Sequence, residues 1–334
     1  MAALPSLLNI STLTIAESIE QGDRVMLGRA ITLVESKNPD HIAKADLLLS
    51  HIIKSGSGSA LRIAISGAPG VGKSTFIDSL GIQIINEGLK VAVLSVDPSS
   101  DINKGSILGD KTRMEKLSVH ADAFIRPSPA GNFLGGIAWR TREAMVLLEA
   151  AGYDIIFVET VGVGQSEHKV KEMVDCFVLL LLPGGGDELQ GMKKGIVEMA
   201  DILSIHKCDG DQIQLARQTQ KEYQQALHLS PKKKINNWQA EVITTSSITG
   251  EGIDQLWKTI QIYQDQMVAN GFFEQNRLNQ NESWFNERIA LGIQEYVRSA
   301  SGKSAIAKIK ENLRRQKTDP IAASNLALQE ILDR

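Results

Sequence analysis

The stretch "SGAPGVGKSTF", Ser66 to Phe76, decides how this chain is read. It follows the apolar run "LRIAI" and precedes the helix-like "STFIDSLGIQIINEG". Gly67, Gly72, Lys73 and Ser74 fill the four fixed positions of G-x-x-x-x-G-K-[ST]. Glycines let the backbone curl until several N–H groups point at one anion. The following helix adds its positive N-terminal end. The candidate binding set is Gly67, Gly70, Val71, Gly72, Lys73, Ser74 and Thr75. Lys73 is expected to reach the β- and γ-phosphates, the Ser74 hydroxyl to ligate Mg²⁺, and Thr75 to add a donor near the α-phosphate. A glycine-rich turn that happens to precede a lysine is the competing reading, and the strand–loop–helix context argues against it. The motif predicts nucleoside triphosphate binding and names neither base nor task.

Working outward, seven short apolar runs alternate with longer segments: "LRIAISG", "VAVLSVD", "AFIRPS", "IIFVET", "CFVLLLLP", "ILSIHK" and "EVITTSS". Most are nearly continuous rather than alternating, which predicts a largely parallel sheet with helices on both faces, an α/β phosphate-loop NTPase. Residues 1–58 carry helical spacing and end at the joint "SGSGS", so an N-terminal helical segment is expected there, with the nucleotide domain over 59–264. Residues 265–334 are expected to form a C-terminal helical arm. In it Phe285, Ile289, Ile293 and Val297 recur every four residues, a stripe for a partner subunit or for its own domain.

The 334 residues are 43% hydrophobic and 22% charged, with net charge −3. That balance gives no reason to expect nucleic acid or an anionic membrane as partner. The longest strongly apolar run, Cys176 to Pro183, is too short to span a bilayer. Two cysteines far apart suit a reducing compartment, and with no leader-like N-terminus a cytoplasmic location is expected. No His/Cys cluster has transition-metal spacing.

Lys207 and Asp209 form K-x-D after a late strand. A carboxylate there accepts from the N1–H and exocyclic amine of guanine, whereas adenine would leave it unpaired. Guanine-binding loops usually read N-K-x-D, and His206 stands at the first position; its imidazole N–H is a candidate for the amide's tie to the phosphate loop. "TTSSITGEG", with Ser246 and Ser247, fits the short S-A type loop whose backbone faces the base. Asp97 and Glu159 end strands, and Asp110 lies on a loop; with Ser74 they are the candidate Mg²⁺ ligands, and with Lys73 the candidate catalytic set. "ETVGVGQSE", with Gln165, and "PGGGDELQGMKKG" are glycine-rich loops expected to change shape with the γ-phosphate or contact a partner.

Together, "GAPGVGKSTFI", "VDPSS", "GSILGDKTRM", "IRPSP", "GYDIIFVETVGVGQSE", "MVDCFVLLLLPGGGDELQGMKKGIVEMADI" and "KCDGD" closely resemble the metallochaperone-type GTPases that serve cobalamin-dependent acyl-CoA mutases. The best-known members protect and load methylmalonyl-CoA mutase, and the family was once labelled an arginine/ornithine transport-system kinase. The resemblance is strong over roughly residues 20–270 and weak at the termini. It implies a homodimeric GTPase binding GTP, GDP and Mg²⁺, with a C-terminal dimerisation arm. Its phosphate-loop roles fall on Lys73 and Ser74, its first-switch acids on Asp97 and Asp110, its Walker B acid on Glu159 and its base-reading acid on Asp209. A third mobile loop, communicating with the mutase, falls on Gly184 to Lys194. His206, Ser247 and Gly185 depart from the family pattern. Rival readings are a kinase using the same loop, a nickel-insertion GTPase, which would favour histidine-rich tails, and a nucleotide-dependent adaptor without turnover, for which Asp97 and Glu159 would be superfluous.

Overall fold

The computed structural model describes residues 6–56, 58–97, 114–129, 136–160, 166–184, 194–229 and 236–332, apart from side chains at a few segment ends. All seven apolar runs are strands: β1 (Leu61–Gly67), β2 (Val91–Asp97), β3 (Ala123–Pro129), β4 (Ile155–Glu159), β5 (Cys176–Leu181), β6 (Ile202–Ile205) and β7 (Glu241–Thr244). They form one sheet in the order β3-β2-β4-β1-β5-β6-β7. Every described pairing is parallel. From β1 the chain builds outward first on one side and later on the other, so the topological switch point lies beside β1, where ligands bind in open α/β sheets.

Helices cover both faces, as continuous apolar strands require. On one face α4 (Lys73–Asn86) and α9 (Ile253–Ala269) lie over the alternate residues Ile63, Ile65, Val93, Phe157 and Val178. Phe76, Leu80, Trp257, Ile260 and Tyr263 fill this core. The intervening residues Ala64, Ala92, Leu94, Ile156, Val158 and Leu179 are also fully buried, as the period-two alternation of a strand buried on both faces demands. Helix α5 (Gly136–Ala150) packs against β2 and carries α2 (Arg24–Val34) and α3 (Pro39–Ser55) outside it, with α1 (Thr12–Glu20) beside them. Side-chain caps start these helices: Ser11, Asp23 and Asn38 accept from first-turn amides of α1, α2 and α3, and Pro39 opens α3. Helices α6 (Ser166–Lys171), α7 (Lys194–Met199) and α8 (Ile213–Leu229) complete the crossovers.

The described chain divides into two compact units, Met1–Gln280 and Asn281–Arg334. The N-terminal helices belong to the first. The second comprises the end of α10 (Phe272–Arg298), α11 (Ala300–Arg314) and α12 (Pro320–Leu332); α11 packs on α12, and Ile306 and Ala323 are buried. Phe285, Ile289 and Ile293 of the apolar stripe are 64%, 47% and 38% exposed in the single chain. No described helix is long and apolar enough to cross a membrane.

At the end of the sheet opposite the phosphate loop, the start of α10 is held by charge. Arg277 grips Asp175 bidentately, with Nε–Oδ1 and Nη2–Oδ2 both 2.7 Å, and reaches Glu149 at 3.2 Å. Arg62 of β1 binds the same Glu149 through two 2.9 Å bonds. Asp175 and Glu149 are buried, so each depends on these partners. Arg277→Ala should therefore lower unfolding free energy by about 3 kcal/mol in urea titration; a loss under about 1 kcal/mol would show that Arg62 alone satisfies the cluster.

Candidate nucleotide site

The site is built where β1, β2 and β4 end together. Gly67 closes β1 with φ +152°, and a Cβ there would lie 2.6 Å from the Leu180 carbonyl oxygen, so the chain can leave the sheet only with glycine. The turn Ala68–Gly72 leads into α4, whose N-cap Gly72 is left-handed at φ +102°. Lys73 is buried, its Nζ donating to the carbonyls of Gly67 at 2.9 Å and Ala68 at 3.2 Å. Burial pulls its ammonium below the ordinary lysine range, opposed by the charges of Glu159 and Glu167. Ser74 is half-buried and Thr75 exposed at the first turn; Val71 is buried beneath the loop and Gly70 is exposed on it.

Register brings the acid to the loop. Glu159 lies beside Ile65 of β1 and beside Ser95 of β2. Its Oε1 accepts from the Ser74 hydroxyl at 2.7 Å and its Oε2 from the Ser95 hydroxyl at 2.8 Å. Glu159 is itself buried, so the two hydroxyls fix its plane. Next to it, Thr160 donates to Ser66 across β4 and β1 at 3.0 Å. Ser74 and Glu159 thus place hard oxygens side by side at the phosphate-loop mouth, the donor chemistry that suits Mg²⁺. Asp97 is the last residue of β2, in register with Pro129; its side chain is outside the described part. Asp110, Gln165, Gly185 and nearly all of the Gly184–Lys194 loop lie outside the described residues. Among the described residues no group of three His, Cys, Asp or Glu side chains could hold a metal.

The residues expected to read the base meet at the ends of β6 and β7. Lys207 sits in the left-handed region at φ +61° and its Nζ donates to the Gly70 carbonyl at 2.9 Å, bridging the two loops. Asp209 accepts from Ser246 Oγ at 2.5 Å, while the same Ser246 oxygen accepts from the amides of Ile248 and Thr249. A side chain expected to carry guanine recognition is therefore held by one of its oxygens. The tie to the phosphate loop expected of His206 is a hydrogen bond of its neighbour Lys207 instead. The His206 ring faces Thr245 Oγ1 at 3.0 Å and Ser247 Oγ at 3.2 Å, and meets Phe76 edge-on with centroids 5.4 Å apart. The structure brings Lys73, Ser74 and Glu159 together on one side and Lys207, Asp209, Ser246 and Ser247 on the other.

Two contributors escape a motif search. Ser95 is an ordinary strand residue by pattern; only its position two residues before Asp97 hints that it shares the rim. Thr245, which links Ser204 Oγ at 2.6 Å to His206, precedes the serines that the motif selects.

This fold and this rim define a phosphate-loop NTPase with a guanine-type base loop. The model of the methylmalonyl-CoA mutase-associated GTPase family MeaB matches residues 27–301, and the chain belongs to that family. The Escherichia coli GTPase ArgK is 48% identical over 282 residues, covering 84% of this chain and 85% of its own. The mouse mitochondrial methylmalonic aciduria type A homolog is 46% identical over 288 residues, covering 84% and 69% respectively. A crystal structure of an LAO/AO transport system kinase superposes with TM-score 0.74 at 34% identity, covering 99% of this chain and all of that one. The chain is a GTPase and binds guanine nucleotide.

Burial, with help from the Lys207 charge, lowers the His206 pKa from 6.5 to about 4, against the opposing pull of Asp209 and a hydrogen bond with Thr245. Between those values the unfolded chain binds a proton that the folded chain does not, so stability falls as pH falls from 6.5 towards 4 and levels off below. Relative to His206→Asn, the wild type should lose on the order of 3 kcal/mol across that window in denaturant titrations at stepped pH. Parallel profiles for the two proteins would contradict a buried neutral imidazole.

Proposed function

We propose that the chain hydrolyses GTP with Mg²⁺ and couples the cycle to loading and protecting a cobalamin-dependent acyl-CoA mutase, methylmalonyl-CoA mutase by the family's description. The observation that carries the chemistry is the bridge of Glu159 between Ser74 and Ser95 beside the buried Lys73 ammonium. An ammonium has three donors, and two carbonyl bonds leave a third for a phosphate oxygen. Loop amides and the N-terminus of α4 add fixed dipoles where charge builds on the transferred phosphoryl group. Ser74 would hold the ion, with Glu159 and the proposed acids Asp97 and Asp110 around it; bound there, Mg²⁺ offsets charge on the phosphate oxygens. Water attacks the γ-phosphorus, the bond to the β-phosphate oxygen breaks, and GDP and phosphate leave.

Asp209 reads the guanine N1–H and amine, Lys207 lies along the base, and Ser246 and the Ser247 backbone complete the pocket. This division assigns 1–58 to a helical support, 59–264 to nucleotide chemistry and 265–334 to a dimerisation arm. The exposure of Phe285, Ile289 and Ile293 supports a second copy of the chain on that arm. Cys176 and Cys208, both buried and not disulfide-bonded, suit a cytoplasmic setting. The kinship to a transport system kinase favours a second reading, phosphoryl transfer to an acceptor. Free phosphate released from GTP without an acceptor supports hydrolysis; a phosphorylated acceptor supports the kinase.

Lys73→Ala should reduce turnover by about 10²–10³-fold in a phosphate-release assay, and undiminished turnover would overturn the phosphate-loop roles. Asp209→Asn should weaken GTP about 10–100-fold while improving xanthosine triphosphate; an unchanged preference for guanine would remove the base-reading role. Co-purification with a cobalamin-dependent mutase tests the partner, and absence of any such complex with either GTP or GDP would count against it.

A further inference from the structure

His206 and Ser247 are both departures from the usual guanine-loop pattern, and they touch. Their sequence positions are far apart, on the loops after β6 and β7, yet His206 Nε2 lies 3.2 Å from Ser247 Oγ. An alanine in place of Ser247, the commoner residue, has no such group to offer. The other ring nitrogen is 3.0 Å from Thr245 Oγ1, which is in turn 2.6 Å from Ser204 Oγ. A neutral imidazole has one donor and one acceptor, and two hydroxyls satisfy either tautomer. The ring is 2% exposed, so losing either hydroxyl leaves a buried nitrogen to find another partner.

The ring also closes on the phosphate loop. A Cβ at Gly72 would come within 3.3 Å of its Cδ2 and Nε2, so glycine at that position admits the imidazole as well as the turn. Phe76, in the first turn of α4, meets it edge-on at 84°. One side chain on the loop after β6 therefore contacts both the start of α4 and the loop after β7.

The geometry points to His206 and Ser247 as a matched pair of positioning residues, in which the imidazole braces the Ser247 peptide where the guanine 6-oxo group is read. This rests on the base-reading role proposed above for Asp209 and the Ser247 backbone. Neither side chain touches the reacting atoms; the pair acts by holding a backbone donor against the phosphate loop. Asparagine, which the usual pattern places at 206, has a shorter side chain than histidine and no ring to lie against Gly72 and Phe76. One substitution without the other is then a mismatch.

The test is a double-mutant cycle on the full chain with His206→Asn, Ser247→Ala and both together, reading dissociation constants for GDP, inosine diphosphate and ADP with Mg²⁺. Each single change should weaken GDP and inosine diphosphate about three- to ten-fold, because both carry the 6-oxo group, and leave ADP unchanged. The double variant, which restores the usual pattern, should bind no more weakly than the poorer single. Ser247→Thr, which keeps the hydroxyl, should retain wild-type affinity. Losses that multiply in the double variant, or singles without effect, would overturn the pairing, as would equal weakening for all three nucleotides. If His206→Asn fails to fold, Ser247→Ala against Ser247→Thr decides, since at this half-buried position the first removes the hydroxyl and the second keeps it; equal affinities would overturn it. Tighter binding of GDP than inosine diphosphate by the wild type, lost in Asp209→Asn, secures the base-reading role separately. Equal binding of all three nucleotides by the wild type would overturn that role and the pair with it.

Discussion

One carboxylate ties the nucleotide site to the sheet. Glu159 ends β4, and its two oxygens receive the hydroxyls of Ser74, at the first turn of α4, and Ser95, on β2. Remove that bridge and β2, β4 and the start of α4 lose the side-chain contact that holds them together at the rim. The bridge is possible because β4 returns between β2 and β1, giving Glu159 the neighbours Ser95 and Ile65 in register. Strand order, more than local loop sequence, therefore sets the geometry of the phosphate site.

The base side is organised differently. Its members come from consecutive late strands, β6 and β7, and are joined through several hydroxyls rather than one shared carboxylate: Ser246 to Asp209, Thr245 to Ser204 and His206, Ser247 to His206. Lys207 spans from this cluster to Gly70 and so joins base loop to phosphate loop. Its left-handed backbone, uncommon outside glycine and asparagine, is the conformational cost of aiming Nζ at that carbonyl.

Much of this was legible in the residues. Seven apolar runs became seven parallel strands because residues buried on both faces leave little freedom in period or polarity. The phosphate loop was legible because Gly67, Gly72, Lys73 and Ser74 each answer a separate steric or charge demand. Ser95 was not, since a serine inside "VAVLSVD" acquires its role only from the neighbour that topology assigns to it. His206 was misread in part: the motif pattern suggested a bond to the phosphate loop, whereas the imidazole packs by shape against Gly72 and Phe76 and spends its nitrogens on hydroxyls. Motif spacing records which residues are present, and the partner of each polar atom emerges only from packing.

The strand order also bears on how a ribosome can deliver this protein. Central strand β1 gains its neighbours only when β4 and β5 exist: Ile63 pairs with Phe157 on one side and Cys176 on the other. Until then the nascent chain carries a nearly all-apolar strand with both edges open, and β2 and β3 can pair only with each other. Such late closure makes the growing polypeptide vulnerable to aggregation and gives holdase-type assistance its greatest value midway through translation.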